Sequence, residues 1–170
     1  GPPTPRGGGF KDITRTAGLL SSALSYGLGA GIADLNGDGW TDMYISNDYT
    51  IPDFLYINNQ KGGFINQIGE SVGHTSHFSM GSDVADINND GLDDFFMGGA
   101  KSEVSQLFIQ NKNNTFSKAN TSVFAQNAGS EDVAGTFFDA DNDGDKDLYV
   151  AAGGYEFEVN DPLLQDRLYL

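Results

Sequence analysis

Three nine-residue stretches of this sequence bring together residues able to hold a metal ion. They are Asp34-Leu35-Asn36-Gly37-Asp38-Gly39-Trp40-Thr41-Asp42, Asp86-Ile87-Asn88-Asn89-Asp90-Gly91-Leu92-Asp93-Asp94 and Asp139-Ala140-Asp141-Asn142-Asp143-Gly144-Asp145-Lys146-Asp147. Each reads D-x-[N/D]-x-D-G-x-x-D, and the starts at 34, 86 and 139 lie 52 and 53 residues apart. Side-chain oxygens at positions one, three, five and nine, with glycine at six for a sharp turn, suit a hard cation such as Ca²⁺, which takes six to eight oxygens at about 2.3–2.6 Å. A solvated turn is also rich in Asp and Gly, but three copies in register favour the metal. An EF-hand is excluded, because its bidentate Glu at position twelve is replaced by Ile45, Met97 and Val150.

Each loop leads into a strand pattern: Met43-Tyr44-Ile45, Phe95-Phe96-Met97 and Leu148-Tyr149-Val150-Ala151. Small-residue strands enter the loops, as Gly29-Ala30-Gly31-Ile32-Ala33, Gly81-Ser82-Asp83-Val84-Ala85 and Ala134-Gly135-Thr136-Phe137-Phe138. Their glycines predict close backbone approach near an axis. A third strand is expected at Leu55–Asn59, Leu107–Asn111 and Leu168–Leu170. A fourth line is expected at Gly9-Phe10-Lys11-Asp12-Ile13, Gly63-Phe64-Ile65-Asn66-Gln67 and Thr115-Phe116-Ser117-Lys118. Four short strands per unit of about fifty residues are the mark of propeller blades. The fold expected is all-β, with about three blades and a metal loop between the first and second strand of each. Helix is nearly absent; Ser21–Leu24 and Val123–Gln126 are short candidates. Residues 1–8 read as a flexible leader and 9–170 as the repeats.

Closed propellers use about four to eight blades. The stretch stops within a strand, so further blades outside it are expected, with association of two partial rings as the alternative. In a closed ring, the strand at Phe10 is expected to complete the blade that ends at Leu170.

The balance is strongly acidic, with 9 Lys+Arg against 24 Asp+Glu and a net charge of −15. The loops hold much of this charge, so a metal-free form is expected to suffer carboxylate repulsion. A nucleic-acid partner does not fit such a charge. No cysteine is present, and no apolar run approaches the ~20 residues of a membrane span.

These residues together resemble the FG-GAP or VCBS-type repeat of integrin α-subunit propellers and of many secreted bacterial proteins. Ile45-Ser46-Asn47-Asp48, Phe78-Ser79-Met80-Gly81 and Leu55-Tyr56-Ile57-Asn58-Asn59 look most like bacterial surface proteins related to cartilage acidic protein. The resemblance implies a calcium-bound β-propeller outside the cytoplasm with about three ions. Its side-chain ligands would be Asp34, Asn36, Asp38 and Asp42; Asp86, Asn88, Asp90 and Asp94; and Asp139, Asp141, Asp143 and Asp147. Backbone carbonyls of Trp40, Leu92 and Asp145 would each add an oxygen. The sequence departs from the family pattern at Thr136-Phe137-Phe138, which replaces small residues, and in its low blade number.

The function expected is a non-enzymatic, calcium-stabilised module of a secreted or cell-surface protein. Its partner would be a protein or glycan, bound on the face opposite the metal loops, or a surface or outer-membrane complex for which it serves as scaffold. A domain of a polysaccharide-degrading enzyme is the alternative. The long connection within 153–166 is a candidate recognition loop or a packing loop, as are Tyr49 and Phe54 in the first unit. His74 and His77 lack the companions of a metal site and read as ordinary polar residues. Asp93-Asp94 and Glu131-Asp132 are adjacent on strands, so each pair points to opposite faces and makes a poor glycosidase dyad. Asn113 and Asn120 fit the glycosylation pattern, which carries weight only with a eukaryotic secretory origin.

Overall fold

A computed structural model describes residues 10–48, 50–73, 78–119 and 122–170. The first sheet is β1 (Tyr26–Ala33), β2 (Asp42–Asp48), β3 (Phe54–Asn58) and β4 (Phe64–Asn66), followed by a single helical turn, α1 (Ile68–Ser71). The second is β5 (Ser79–Ala85), β6 (Asp94–Gly99), β7 (Gln106–Gln110) and β8 (Phe116–Lys118), followed by α2 (Ser122–Ala125). The third is β9 (Glu131–Phe138), β10 (Asp147–Gly153) and β11 (Arg167–Tyr169), with a 3₁₀ turn at Pro162–Leu164 before β11. Every strand pairs antiparallel with its sequence neighbour. The chain is therefore all-β, with three meandering sheets as expected of propeller blades.

The inner strands β1, β5 and β9 pack in succession. Glycine makes this possible. A Cβ built on Gly29 would lie 2.8 Å from Ser82 Oγ, and one on Gly81 would lie 2.4 Å from the Ala134 Cα. β6, the second strand of the middle sheet, is buried along its whole length and accordingly reads as an apolar run. Between the first two sheets lies a core of Leu35, Tyr44, Leu55, Phe95, Met97, Phe108 and Phe116. Tyr44 stacks on Phe95 at 4.4 Å between ring centroids. A second core, with Phe96, Phe124, Leu148 and Val150, joins the other pair.

Polar links cross each joint beside these cores. Buried Asp53 accepts hydrogen bonds from Tyr44 Oη (2.6 Å), Ser79 Oγ (2.7 Å) and the Asn47 N–H (2.8 Å). Ser79 belongs to the second sheet, so the carboxylate ties two sheets. Between the second and third, Ser105 Oγ donates to Asp132, which also pairs with Arg167. Ser105 occupies the place of Asp53 before the third strand, and Asp132 the place of Ser79 in the first. Donor and acceptor have exchanged sheets.

The strand expected at Phe10 is absent. Phe10 is fully exposed, and residues 13–18 turn instead onto the edge of β4, where the Phe64 N–H donates to the Ala17 carbonyl at 2.7 Å. Gly18, at φ 79°, permits this turn because a Cβ there would stand 2.7 Å from the Phe64 carbonyl oxygen. The segment thus covers the first sheet and adds no strand to the third. Phe54, for which the sequence leaves both recognition and packing open, is buried and opens β3, as the packing reading requires. Of the two short helical candidates, 123–126 overlaps α2 and 21–24 is not helical. Tyr49, His74, His77 and Asn120 lie outside the described residues, as do 1–9.

Asp53→Ala is expected to lower stability by about 1–3 kcal/mol, since it strands three buried donors. Ser79→Ala should cost less, about 0.5–1.5 kcal/mol for one hydrogen bond. Urea unfolding monitored by tyrosine and tryptophan fluorescence compares the two.

Candidate metal centres and the opposite cleft

Each acidic loop connects the first strand of a sheet to the second, and all three fold alike. Positions four and six take positive φ throughout: Gly37 (69°) and Gly39 (84°), Asn89 (58°) and Gly91 (86°), Asn142 (65°) and Gly144 (99°). Only Gly and, less readily, Asn adopt this region at low cost, which explains the residue choice at both positions. The turn aims backbone N–H groups at the first carboxylate. Gly39, Gly91 and Gly144 donate to Asp34, Asp86 and Asp139 at 2.6, 2.9 and 3.1 Å. The position-five N–H groups of Asp38, Asp90 and Asp143 donate to Asn36, Asn88 and Asp141 at 3.0, 2.9 and 3.2 Å. Trp40, Leu92 and Asp145 donate in turn to the side chains of Asp38, Asp90 and Asp143.

Position nine is different, because Asp42, Asp94 and Asp147 are buried at the start of their strands. Their carboxylates accept from the loop's second residue, Leu35 at 3.0 Å, Ile87 at 3.3 Å and Ala140 at 2.6 Å. Asp42 and Asp94 also accept from the third strand, through the N–H of Asn58 (2.7 Å) and Gln110 (2.8 Å). Leu35, fully buried, anchors the first loop in the core.

Carboxylate oxygens of Asp139, Asp141 and Asp147 lie within 4.8 Å of one another. Oxygens on opposite sides of a calcium-sized ion stand about 4.6–5.2 Å apart, so these three residues fit a hard divalent cation. In the first two loops the corresponding set is two carboxylates and an amide oxygen, Asp34, Asn36 and Asp42 or Asp86, Asn88 and Asp94. The loop fold is the same. Among the described residues, the structure thus brings positions one, three and nine of the third loop together, and Asp143 at position five is not part of that group.

Titration reflects the crowding. Burial pushes Asp42 up to about 6 against the pull of its N–H partners, and the charges of Asp38 and Asp34 add to the rise. Burial likewise raises Asp94, with help from Asp90 and Asp86. Desolvation and the charge of Asp143 raise Asp141, whereas the Trp40 N–H holds Asp38 low. Asp93, adjacent to Asp94, turns towards the first loop instead; burial raises it, and the Asp34 N–H and charge act on it in opposite directions. The two members of this pair do serve different surroundings.

At the far ends of the strands lies a cleft of about 370 Å³, drawn from all three sheets. Asp48 contributes from the first; Phe78, Met80 and Lys101 from the second; Glu131, Tyr155 and Glu156 from the third. Lys101 is turned to the Phe157 ring, 4.8 Å from its centroid. Burial raises Glu131, and Glu156 and Asp48 raise it further, Glu156 by charge and by a hydrogen bond between the two side chains. Tyr155 is fully exposed. Sequence reasoning singled out the 153–166 connection but not its companions Asp48, Phe78 and Lys101. They are distant in sequence and carry no shared motif. In that connection, Asp161 caps the 3₁₀ turn through the Leu163 N–H at 2.9 Å, and Asp166 accepts from Tyr149 Oη (2.6 Å) and the Ala152 N–H (2.9 Å).

A family model described as an FG-GAP-like repeat matches residues 34–97 and again 86–150. No curated protein matches the chain.

In the metal-free protein, the raised Asp42 carboxyl favours folding while protonated. Its contribution is full below the ordinary value of 3.8 and is lost as pH rises through about 6. Melts in chelator are therefore expected to fall from pH 4.5 to 7, less steeply in Asp42→Asn.

Proposed function

The chain belongs to the FG-GAP-like repeat family, and from that premise we propose that it is a calcium-stabilised, non-enzymatic β-propeller module working outside the cell or on its surface. Calcium is held by fifteen residues, through the side-chain oxygens at positions one, three, five and nine of each loop and the carbonyls of Trp40, Leu92 and Asp145. Its role is structural. Each ion would relieve the repulsion of a carboxylate cluster that is already tied into its sheet, and so lock the first strand to the second. Binding to the folded form alone stabilises it by about 2.7 kcal/mol per site at a hundredfold excess over Kd.

The module recognises a protein or glycan through the end of the sheets away from the acidic loops. The observation that carries this reading is the three-sheet cleft with its exposed Tyr155 and its carboxylates. An aromatic face beside hydrogen-bonding acids suits a sugar ring or a polar side chain. The polysaccharide-degrading alternative is less well supported. Glu131 and Glu156 hydrogen-bond each other, closer than the ~5 Å that even a retaining glycosidase pair requires. Surface location rests on the family, and among the described residues no helix is long and apolar enough to cross a membrane.

Calorimetric titration is expected to give three calcium ions per chain and two in Asp38→Ala. Chelator should lower Tm by about 15–30 °C, the combined effect of three sites on a chain of this size.

On an oligosaccharide array and against candidate surface proteins, binding should weaken about tenfold or more in Tyr155→Ala. Calcium content and Tm stay unchanged in that variant. Depolymerisation of any bound polysaccharide would favour the enzymatic alternative.

A further inference from the structure

The three acidic loops share one fold, but their seventh and eighth positions differ in surroundings. In the middle loop Leu92 and Asp93 are half-buried, whereas Trp40 and Thr41 in the first loop, and Asp145 and Lys146 in the third, are exposed. Part of that cover is the first loop itself. Asp93 accepts a hydrogen bond from the Asp34 N–H. The Leu92 side chain lies beside Gly37, 3.8 Å from where a Cβ on that glycine would stand. Asp34 is position one of its loop and Gly37 position four, so the second loop braces the turn of the first.

The third loop cannot brace the second in this way. At the place of Asp93 it has Lys146, whose ammonium offers no acceptor to an N–H. The second and third sheets are tied earlier instead, where Asp83 of β5 accepts from the Phe137 N–H of β9 at 2.7 Å, before either loop begins. Charge divides the loops the same way. Asp93 feels the carboxylates of both Asp34 and Asp86, one from each of the first two loops, so without metal it adds to a repulsion that spans the pair. A cation in either loop reverses the local sign and makes Asp93 a shared counter-charge.

We propose that the first two loops bind calcium as a linked pair, with Asp93 the positioning residue that joins them, and that the third loop fills independently. The inference rests on the calcium reading given above and adds which sites act together. With an ion in the second loop, the Leu92 carbonyl and the Asp94 carboxylate are held in place, and Asp93 stands between them in the chain. Its carboxylate is then fixed on the Asp34 N–H and Leu92 against Gly37, so the first loop is partly ordered before its own ion arrives. The ordering cost that a lone loop meets on binding is thereby shared. A negative charge common to the two loops also offsets the repulsion between two like ions. Coupling of this kind is reciprocal, so an ion in the first loop tightens the second by the same factor.

Trp40 is the chain's single tryptophan and sits in the first loop, so terbium, which takes calcium's oxygen ligands and emits when tryptophan excites it at close range, reports on that loop. Asp90→Ala, which empties the second loop, is expected to move the terbium midpoint to higher concentration by about fivefold or more, the usual range for coupled sites. Asp143→Ala, which empties the third, should leave it in place. Asp93→Asn keeps an acceptor oxygen but loses the charge. It should weaken the first loop by a similar factor with an unchanged circular dichroism spectrum, and adding Asp90→Ala to it should bring little further change, because the two act through one path. The pairing alone is overturned by a midpoint that Asp90→Ala leaves unmoved, that Asp143→Ala moves as far, or that still shifts in full when Asp90→Ala is added to Asp93→Asn. A wild-type chain that binds no terbium overturns the calcium reading and the pairing with it.

Discussion

A carboxylate held out of water at the start of each second strand is the constraint on which the rest depends. Asp42, Asp94 and Asp147 are buried, and a buried charge is tolerated only when hydrogen-bonded or neutralised. The backbone supplies part of what they need. An N–H from the loop reaches all three, and an N–H from the third strand reaches Asp42 and Asp94. One side chain therefore fixes a loop, a strand end and a hairpin partner at once. Neutralisation is incomplete in protein alone, as the rise of Asp42 to about 6 shows. A divalent ion at the mouth of the turn, as proposed, would meet that remaining demand, and would give a physical reason for an acidic turn to be tied so deeply into an apolar sheet.

Close stacking of sheets sets the second constraint. Where strands approach so near that a Cβ would collide with the next backbone, as at Gly29 and Gly81, apolar packing alone leaves polar backbone and hydroxyl groups caught in the joint. The Tyr44–Asp53–Ser79 and Ser105–Asp132 links answer this in part, by pairing buried hydroxyls with carboxylates across the sheets. Such a network raises the cost of misregister, since slipping one sheet would leave several donors without acceptors. The exchange of Asp and Ser between the two joints shows that the pair is what matters, not which sheet carries the charge.

Much of this was legible in the sequence. A period near fifty and a loop repeated with its glycine in place specify short antiparallel strands, and the second strands, β4 and β8 fell where the pattern put them. Phe10 misled because its Gly-Phe context matches Gly63-Phe64, although the segment around it docks as a turn on the edge of β4. Local likeness cannot tell which edge a strand-like segment will find. Phe54 stayed open between recognition and packing, since an aromatic beside a turn is placed only once the neighbouring sheet is known. The polar links and the cleft stayed hidden for a common reason: Asp53 and Ser79, or Asp48 and Glu131, are distant in sequence and meet only through the stacking of sheets.

The two ends of each sheet divide the labour. At the loop end, the sequence is held nearly constant by turn geometry and by the oxygen donors, leaving little freedom to vary. At the other end, the connections differ in length and composition, from the short link 100–105 to the 154–166 stretch with its 3₁₀ turn. A rigid, ion-ready end makes variation at the opposite end inexpensive in stability, because strand register is already fixed before those connections begin. Loops carried on a scaffold so determined can alter their contacts without disturbing the core, and the cleft built from three of them lies where that freedom is greatest.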